Sequence, residues 1–154
     1  MYAMRVSRRV NAPRPAVYRA LLDASAIATW RVPDGMTCRV HEFEPREGGA
    51  FRISLSYDDP SGTGKSGAHT DTYHGRFTRL VPDEQVVEVS EFETTDAALR
   101  STMTITTTLT DAEGGGTDVL IAHEGIPDVV PVADNELGTR MSLDKLAALV
   151  ETGF

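Results

Sequence analysis

The order of the secondary-structure signals constrains the fold of this chain more than any other feature of its sequence. Helix signals occur within residues 11–30 and again after residue 133, and most of the chain between them alternates apolar with polar side chains. A period of two is typical of half-buried strands, whereas apolar residues three or four positions apart are typical of helices. Consecutive strands with helices at both ends predict an α+β fold, in which a curved antiparallel sheet grips a helix.

Two short helices are predicted directly after the first strand. Pro13 or Pro15 suits the first turn of a helix, where the missing N–H would have no intrahelical partner. Asp23 or Ser25 can cap a second helix, because a short polar side chain accepts a hydrogen bond from a free backbone N–H there. The second helix is expected to end near Trp30.

About seven strands are predicted, separated by turns rich in glycine, proline and aspartate. Residues 102–110 are almost purely β-branched, which suits a pleated and half-buried surface. A long flexible loop is expected over residues 59–67, where glycine and serine accumulate. The strands are predicted over residues 4–10, 38–43, 51–57, 71–81, 84–93, 100–110 and 116–123.

The last helix is predicted to begin at Asp134 or Asn135 and to end at Gly153. An apolar stripe runs along it at helical spacing, so this face is expected to pack against the sheet. A sheet curved around one long helix tends to enclose a cavity, and the order of elements therefore predicts a protein that holds a ligand. The stripe consists of Thr139, Leu143, Leu146, Ala147 and Val150.

Length and charge narrow the classes of function. A chain of 154 residues without repeats or linkers predicts one domain over residues 1–154. The formal net charge of −8 disfavours nucleic-acid binding, which requires a cationic face. No apolar run resembles a signal peptide or a membrane span, and Cys38 is the only cysteine, so a cytoplasmic protein is expected.

Five short motifs in a fixed order resemble one protein superfamily over nearly the whole chain. They are Val10-Asn11-Ala12-Pro13 with Val17 and Trp30; Gly48-Gly49-Ala50-Phe51-Arg52; Gly75-Arg76-Phe77 leading to Leu80-Val81-Pro82; Gly116-Thr117 leading to His123-Glu124-Gly125; and Leu143-Asp144-Lys145-Leu146. The chain resembles the START and birch-pollen-allergen superfamily (SRPBCC) with its helix-grip fold. Within it, the sequence is most similar to the branch related to the activator of the heat-shock protein 90 ATPase.

The resemblance implies a shape with an internal hydrophobic cavity, whereas the ligands of such proteins vary. The first hypothesis is the binding of a small hydrophobic or amphipathic ligand, without a cofactor. An enzyme of the cyclase or aromatase type is the second hypothesis, and the residues favour it less. The third is a module that contacts the chaperone, although the resemblance covers only the carboxyl-terminal part of the activator. An exposed sheet edge or the long helix could also support a homodimer.

One position departs from the pattern of that branch. Its members often carry a Gly-Trp pair near the start of the last helix, where this chain has Gly138-Thr139. If Thr139 faces the sheet, the absence of an indole would enlarge the cavity or open its mouth. Alternatively, Leu137 or Met141 could fill the same volume, because cores tolerate swaps that conserve volume.

Two aromatic residues and two histidines are candidates for contacting a ligand. Trp30 and Tyr57 are large side chains with a polar atom, although ordinary core packing explains them equally well. His123 follows Val119 at a spacing that places both on one strand face, and His74 lies in the middle of another strand. A neutral imidazole in a cavity could orient a polar group or accept a proton. The histidines show no metal-ligand spacing, so no metal is expected.

Charged side chains on strands are the remaining candidates. Arg8 shares a strand face with Val6 and Val10, so it is expected to point inward, with Glu42 as a candidate partner. The alternative is an edge arginine whose guanidinium reaches water. Glu91 is on the strand face of Val87 and Val89, and a carboxylate facing an apolar cavity could act as an acid or base. The alternative is a solvated glutamate near a strand end.

Overall fold

The computed structural model describes residues 1–59, 61–62, 64–66 and 69–153. The loop predicted over 59–67 therefore lies partly outside the described residues. The helices are α1 (Arg14–Leu21), α2 (Ala24–Trp30) and α3 (Val132–Glu151), with a single 3-10 turn at Ala97–Leu99. None of the described helices combines the length and the apolar character needed to cross a membrane. The strands are β1 (Tyr2–Val10), β2 (Met36–Phe43), β3 (Ala50–Tyr57), β4 (Thr70–Val81), β5 (Gln85–Phe92), β6 (Met103–Asp111) and β7 (Thr117–Ile126).

The strands form one curved antiparallel sheet in the order β1-β7-β6-β5-β4-β3-β2. Each strand from β2 to β7 pairs with its neighbour in sequence, so this part of the sheet is a meander. The first strand is the exception, because it pairs with the last one. The α+β helix-grip fold expected from the sequence is confirmed.

The two short helices form as their end signals predict. Pro13 precedes α1 and Pro15 occupies its first turn, where no intrahelical N–H donor is lost. The Asp23 carboxylate accepts a hydrogen bond of 2.9 Å from the backbone N–H of Ala26 and so caps α2. At the other end of α2, the Trp30 indole Nε1 donates to the Ala20 carbonyl at 2.9 Å, which ties the two helices together.

The main core lies between the sheet and one face of α3. Val6, Ile53 and Val119 point from the sheet toward this helix and are fully buried. From α3, the residues buried against them are Ser142, Leu143, Leu146, Ala147 and Val150. The predicted stripe is therefore correct over the second half of the helix, and α3 begins two residues earlier than the predicted Asp134.

Three register shifts interrupt the regular pairing of the strands, and such a shift changes which side chains face inward. Between Val40 and Glu42 the register of β2 shifts, so the alternation of the strand is broken there and Glu42 is exposed. The other two shifts lie between Phe77 and Arg79 of β4 and between Tyr2 and Met4 of β1. A turn residue or an apolar pattern does not reveal such a shift, because the residues themselves keep their ordinary strand character.

A candidate ligand-binding cavity

A cavity of about 760 Å³ lies between the sheet and the first half of α3. The end of α2 and the segment between β7 and α3 complete its wall. Most of the wall is apolar, and the inward side chains of the five neighbouring strands β3 to β7 supply much of it. They include Leu55, Phe92, Met103, Ile105 and Ile121.

A buried ion pair lies beside the cavity, whose wall includes Arg31 but not its partner Glu88. Arg31 follows the last residue of α2, and its guanidinium donates a hydrogen bond to the Glu88 carboxylate of β5. The exposed fractions of the two side chains are 19% and 4%. Burial alone would lower the pKa of Arg31, but the charge and the hydrogen bond of Glu88 reverse that effect and raise it. Arg31 is therefore held as a cation.

Tyr73 of β4 packs against the same guanidinium. The centre of its ring lies 5.6 Å from the guanidinium carbon of Arg31, a distance at which the ring face attracts a cation. Burial raises the pKa of the Tyr73 hydroxyl, and the positive charge of Arg31 only partly opposes this rise. The phenol is therefore neutral, and its ring packs against the Arg31 guanidinium in the cavity wall.

His123 of β7 also lines the cavity, and its Nε2 atom is buried without a hydrogen-bond partner among the described residues. Burial lowers the pKa of this imidazole to about 4, and the charge of Arg31 acts in the same direction. At neutral pH the ring is therefore uncharged. One nitrogen then carries a proton and the other a lone pair.

Asn135, in the first turn of α3, carries a second unsatisfied polar atom. Its Nδ2 is buried with no partner within the described part of the chain, and its side chain lines the same cavity. The backbone carbonyl of Asn135 is occupied, because the Thr139 hydroxyl donates to it at 2.9 Å. Two residues of the cavity wall, on β7 and on α3, thus each carry a buried polar atom without a hydrogen bond among the described residues.

A second ion pair lies where β4 begins. The Lys65 ammonium is 2.8 Å from the Asp71 carboxylate and 5.3 Å from the centre of the Phe92 ring. Asp71 also accepts a hydrogen bond from the backbone N–H of Lys65. Only 7% of the Asp71 side chain is exposed, so its charge requires this partner.

Four of the residues singled out from the sequence line the cavity: Trp30, Tyr57, His123 and Thr139. Trp30 is buried at the end of α2, and His123 faces inward together with Val119. Thr139 faces the sheet as expected, with Leu137 and Met141 also contributing to the wall. Whether these residues contact a ligand remains a proposal.

Arg8, His74 and Glu91 lie outside the cavity, and the inward orientation expected for Glu91 is wrong. On β5 the buried side chains are Val86, Glu88 and Ser90, so Glu91 is on the opposite, exposed face. There the Glu91 carboxylate Oε1 lies 3.0 Å from Nε2 of the His74 imidazole, and neither side chain lines the cavity.

Arg8 points toward α3 but does not reach the cavity. Its guanidinium Nε donates to Asp144 at 2.8 Å, in a pair that is largely exposed. The suggested pairing with Glu42 is wrong, because β1 and β2 are the two opposite edges of the sheet. The alternative of an edge arginine describes this residue better.

The sequence analysis did not identify several polar residues of the cavity, namely Arg31, Asn135 and the Lys65–Asp71 pair, nor Glu88, the partner of Arg31. Val87 and Val89 led to the prediction of the wrong inward face for β5, because valine occurs on both faces of this strand. An acidic residue flanked by apolar residues was the available signal for Glu88. Among the described residues, no group of three or more His, Cys, Asp or Glu side chains is placed to hold a metal ion.

The fold and the cavity together define a helix-grip protein of the START and birch-pollen-allergen superfamily. Residues 11–151 match the family described as Activator of Hsp90 ATPase homolog 1-like protein. The chain belongs to this family. No curated protein gives a significant match.

Solved structures of similar proteins support this assignment. Protein CV1439 from Chromobacterium violaceum is 37% identical, with a TM-score of 0.85 and 97% of each chain covered. A protein from Arthrobacter aurescens shares the fold at 15% identity, with a TM-score of 0.80 over 98% of this chain and 87% of that one. DynU16, a protein of the dynemicin biosynthetic locus, is 20% identical with a TM-score of 0.69, and the match covers 99% of this chain and 48% of DynU16.

Proposed function

We propose that the protein binds a small, mostly apolar molecule in the cavity between the sheet and α3. The observation that carries this proposal is a cavity of about 760 Å³ with an apolar wall and a few inward polar groups. Ligand pockets in proteins commonly have volumes of about 300–1,000 Å³ and the same mixture of lining groups. Membership of a family built on the helix-grip fold supports the proposal.

The proposal is tested by filling the cavity from α3. Thr139→Trp and Met141→Trp each place an indole in the wall, whereas Ala148→Trp adds the same side chain at an exposed position of the same helix. Binding is measured as the gain in fluorescence of N-phenyl-1-naphthylamine, an uncharged apolar probe. Circular dichroism and thermal unfolding establish that each variant is folded.

We expect the wild type and Ala148→Trp to bind the probe, and the two cavity variants to bind it at least about tenfold more weakly. Two variants are used because one indole could be accommodated by movement of its neighbours. Equal probe binding by all four folded proteins, or no binding by the wild type, would contradict the proposal. Native mass spectrometry of the freshly purified protein then shows whether a cellular molecule remains bound.

His123 favours a second candidate function, a cavity enzyme that moves a proton. Its buried Nε2 has no protein partner, and its lowered pKa, about 4, leaves a lone pair available at neutral pH. Such a base would exchange the acidic C–H protons of a bound ketone with solvent. Incubation with 2-decanone in heavy water, followed by mass spectrometry, tests this directly. Exchange no faster with the wild type than with His123→Phe would reject the enzyme hypothesis.

The family match supports a third candidate, contact with the chaperone named in the family description. The measurement is the ATPase rate of a purified chaperone of the heat-shock protein 90 type with and without an excess of this protein. Stimulation that survives in the cavity-filled Thr139→Trp variant would assign it to a surface other than the cavity. An unchanged ATPase rate would remove this candidate.

A further inference from the structure

Two polar atoms in the cavity lack the hydrogen bonds that buried groups normally make. His123 Nε2 and Asn135 Nδ2 are buried and have no partner among the residues that the structure describes. Most buried side-chain polar atoms in proteins are paired with protein or water, and an atom that loses water without a new partner costs free energy. A ligand group that reached these atoms would therefore supply hydrogen bonds that the described part of the protein does not make.

The ligand group that suits both atoms is a hydroxyl. The tautomer of His123 decides whether Nε2 carries a proton or a lone pair. The amide of Asn135 could present either its nitrogen or its oxygen. A hydroxyl accepts from the Asn135 Nδ2 donor and can still either donate to His123 Nε2 or accept from it, so it fits both tautomers of the imidazole. A carboxylate only accepts, and it would leave an unprotonated imidazole nitrogen unsatisfied.

The charges of the cavity wall act against an anionic ligand. The cations among the described lining residues are Arg31 and Lys65, and each is already paired with a carboxylate. Three further carboxylates, those of Asp34, Asp96 and Asp134, belong to the wall. A bound carboxylate would have to break a buried ion pair or remain buried without a cation, and both are costly.

From these two observations, and resting on the proposed function, we infer that the cavity binds a neutral alcohol or phenol and rejects the carboxylate of matched length. The hydroxyl is held by His123 of β7 and Asn135 of α3. The apolar part of the ligand lies along the strand side chains Leu55, Met103 and Ile105.

The test compares 1-octanol with octanoate, which have equal chain lengths and differ in the charge of the polar group. Isothermal titration calorimetry at neutral pH gives both affinities directly. His123→Phe and Asn135→Leu remove the two polar groups while keeping an apolar side chain in place. Thr152→Val is the control, because Thr152 lies at the end of α3, outside the cavity wall, and its hydroxyl is likewise bonded to carbonyls of the helix.

We expect 1-octanol to bind the wild type on the order of tenfold or more tightly than octanoate. Each of His123→Phe and Asn135→Leu should weaken the binding of 1-octanol by about fivefold, the loss of one hydrogen bond, whereas Thr152→Val should bind it within about twofold of the wild type. If one variant fails to fold, the other still tests the inference, and the comparison of the two ligands needs neither.

Equal affinity for the two ligands, tighter binding of octanoate, or no detectable binding of 1-octanol would overturn the inference. Its failure is distinguishable from failure of the proposed function. If N-phenyl-1-naphthylamine binds and Thr139→Trp blocks it, the cavity is a binding site whatever the result with 1-octanol. If the apolar probe and 1-octanol both fail to bind, the proposed function fails as well.

Discussion

The Arg31 guanidinium donates a hydrogen bond to the Glu88 carboxylate across the gap between the end of α2 and the middle of β5. The two side chains are only 19% and 4% exposed, so each charge depends on the other. Such a pair contributes little to the free energy of unfolding compared with two well-packed apolar residues. Removing one partner, however, leaves a buried charge unpaired.

Glu88→Ala is therefore expected to lower the free energy of unfolding by about 3–5 kcal/mol, because Arg31 stays buried and charged. The matched control is Glu136→Ala, which breaks the exposed pair between Glu136 and Arg140 of α3 and should cost less than about 1 kcal/mol. Urea unfolding measures both. Equal costs for the two variants would contradict a structural role for the buried pair, whereas recovery in Arg31→Met/Glu88→Leu would support it.

His123 should titrate far below an ordinary histidine, with a pKa near 4. Burial disfavours its charged form in the folded state, so the unfolded chain binds the proton first as the pH falls. The neutral ring therefore stabilises the fold fully above about pH 6.5, and this contribution is lost as the pH falls toward 4. The loss amounts to about 3 kcal/mol at most.

Nuclear magnetic resonance titration measures the pKa, and the signal absent from His123→Phe identifies the ring. Urea unfolding of the wild type and of His123→Phe over the same pH range isolates the effect on stability from that of the carboxylates. A difference between the two proteins that does not change with pH would show that His123 is not desolvated in the folded state.

Trp30 is the only tryptophan in the chain, it is 4% exposed and it lines the cavity, so its fluorescence reports on this site. A blue-shifted emission and weak quenching by acrylamide are expected. Trp30→Phe should cost about 1–3 kcal/mol of stability, because the Ala20 carbonyl loses the indole donor. Chemical unfolding followed by circular dichroism measures this cost, and strong acrylamide quenching of the wild type would be inconsistent with the burial of Trp30.

Replacing two glycines with alanine should change the stability of the fold in opposite directions. A Cβ at Gly75 would lie 1.9 Å from the Val89 carbonyl oxygen, so β4 and β5 would have to separate, at a cost of about 1–3 kcal/mol. A Cβ at Gly138 of α3 would meet nothing nearer than 3.4 Å, the Cγ atom of Pro33. Gly138→Ala should therefore stabilise the helix by about 0.5–1 kcal/mol. Thermal unfolding of both variants checks the signs, and a tolerated Gly75→Ala would refute the close strand contact.

The sequence predicts the fold better than it predicts the site, for a physical reason. The elements depend on local patterns, such as the Asp23 cap and the β-branched residues of β6, and these patterns act over a few residues. The cavity depends on which face of each strand points inward. Val86, Val87 and Val89 leave that choice open on β5, and the register shift beside Glu42 reverses it on β2.

The pairing of Arg31 with Glu88 is also hidden from local patterns. The two residues are 57 positions apart, and only the docking of α2 on the sheet brings them together. Either residue alone is typical of a solvated surface. His123 was found because its strand keeps a regular alternation up to that position, with Val119 and Ile121 buried on the same face.

The position of β1 in the sheet has a consequence for folding during synthesis. Val10 pairs with Thr117, more than a hundred residues later in the chain, whereas every other strand pairs with one that follows it closely. Closing so long a loop is slower than forming a hairpin, so strands β2 to β7 can pair with one another before β1 pairs with β7. On the ribosome the order is least favourable, because the strand that is synthesised first must keep its edge unpaired until the last strand emerges.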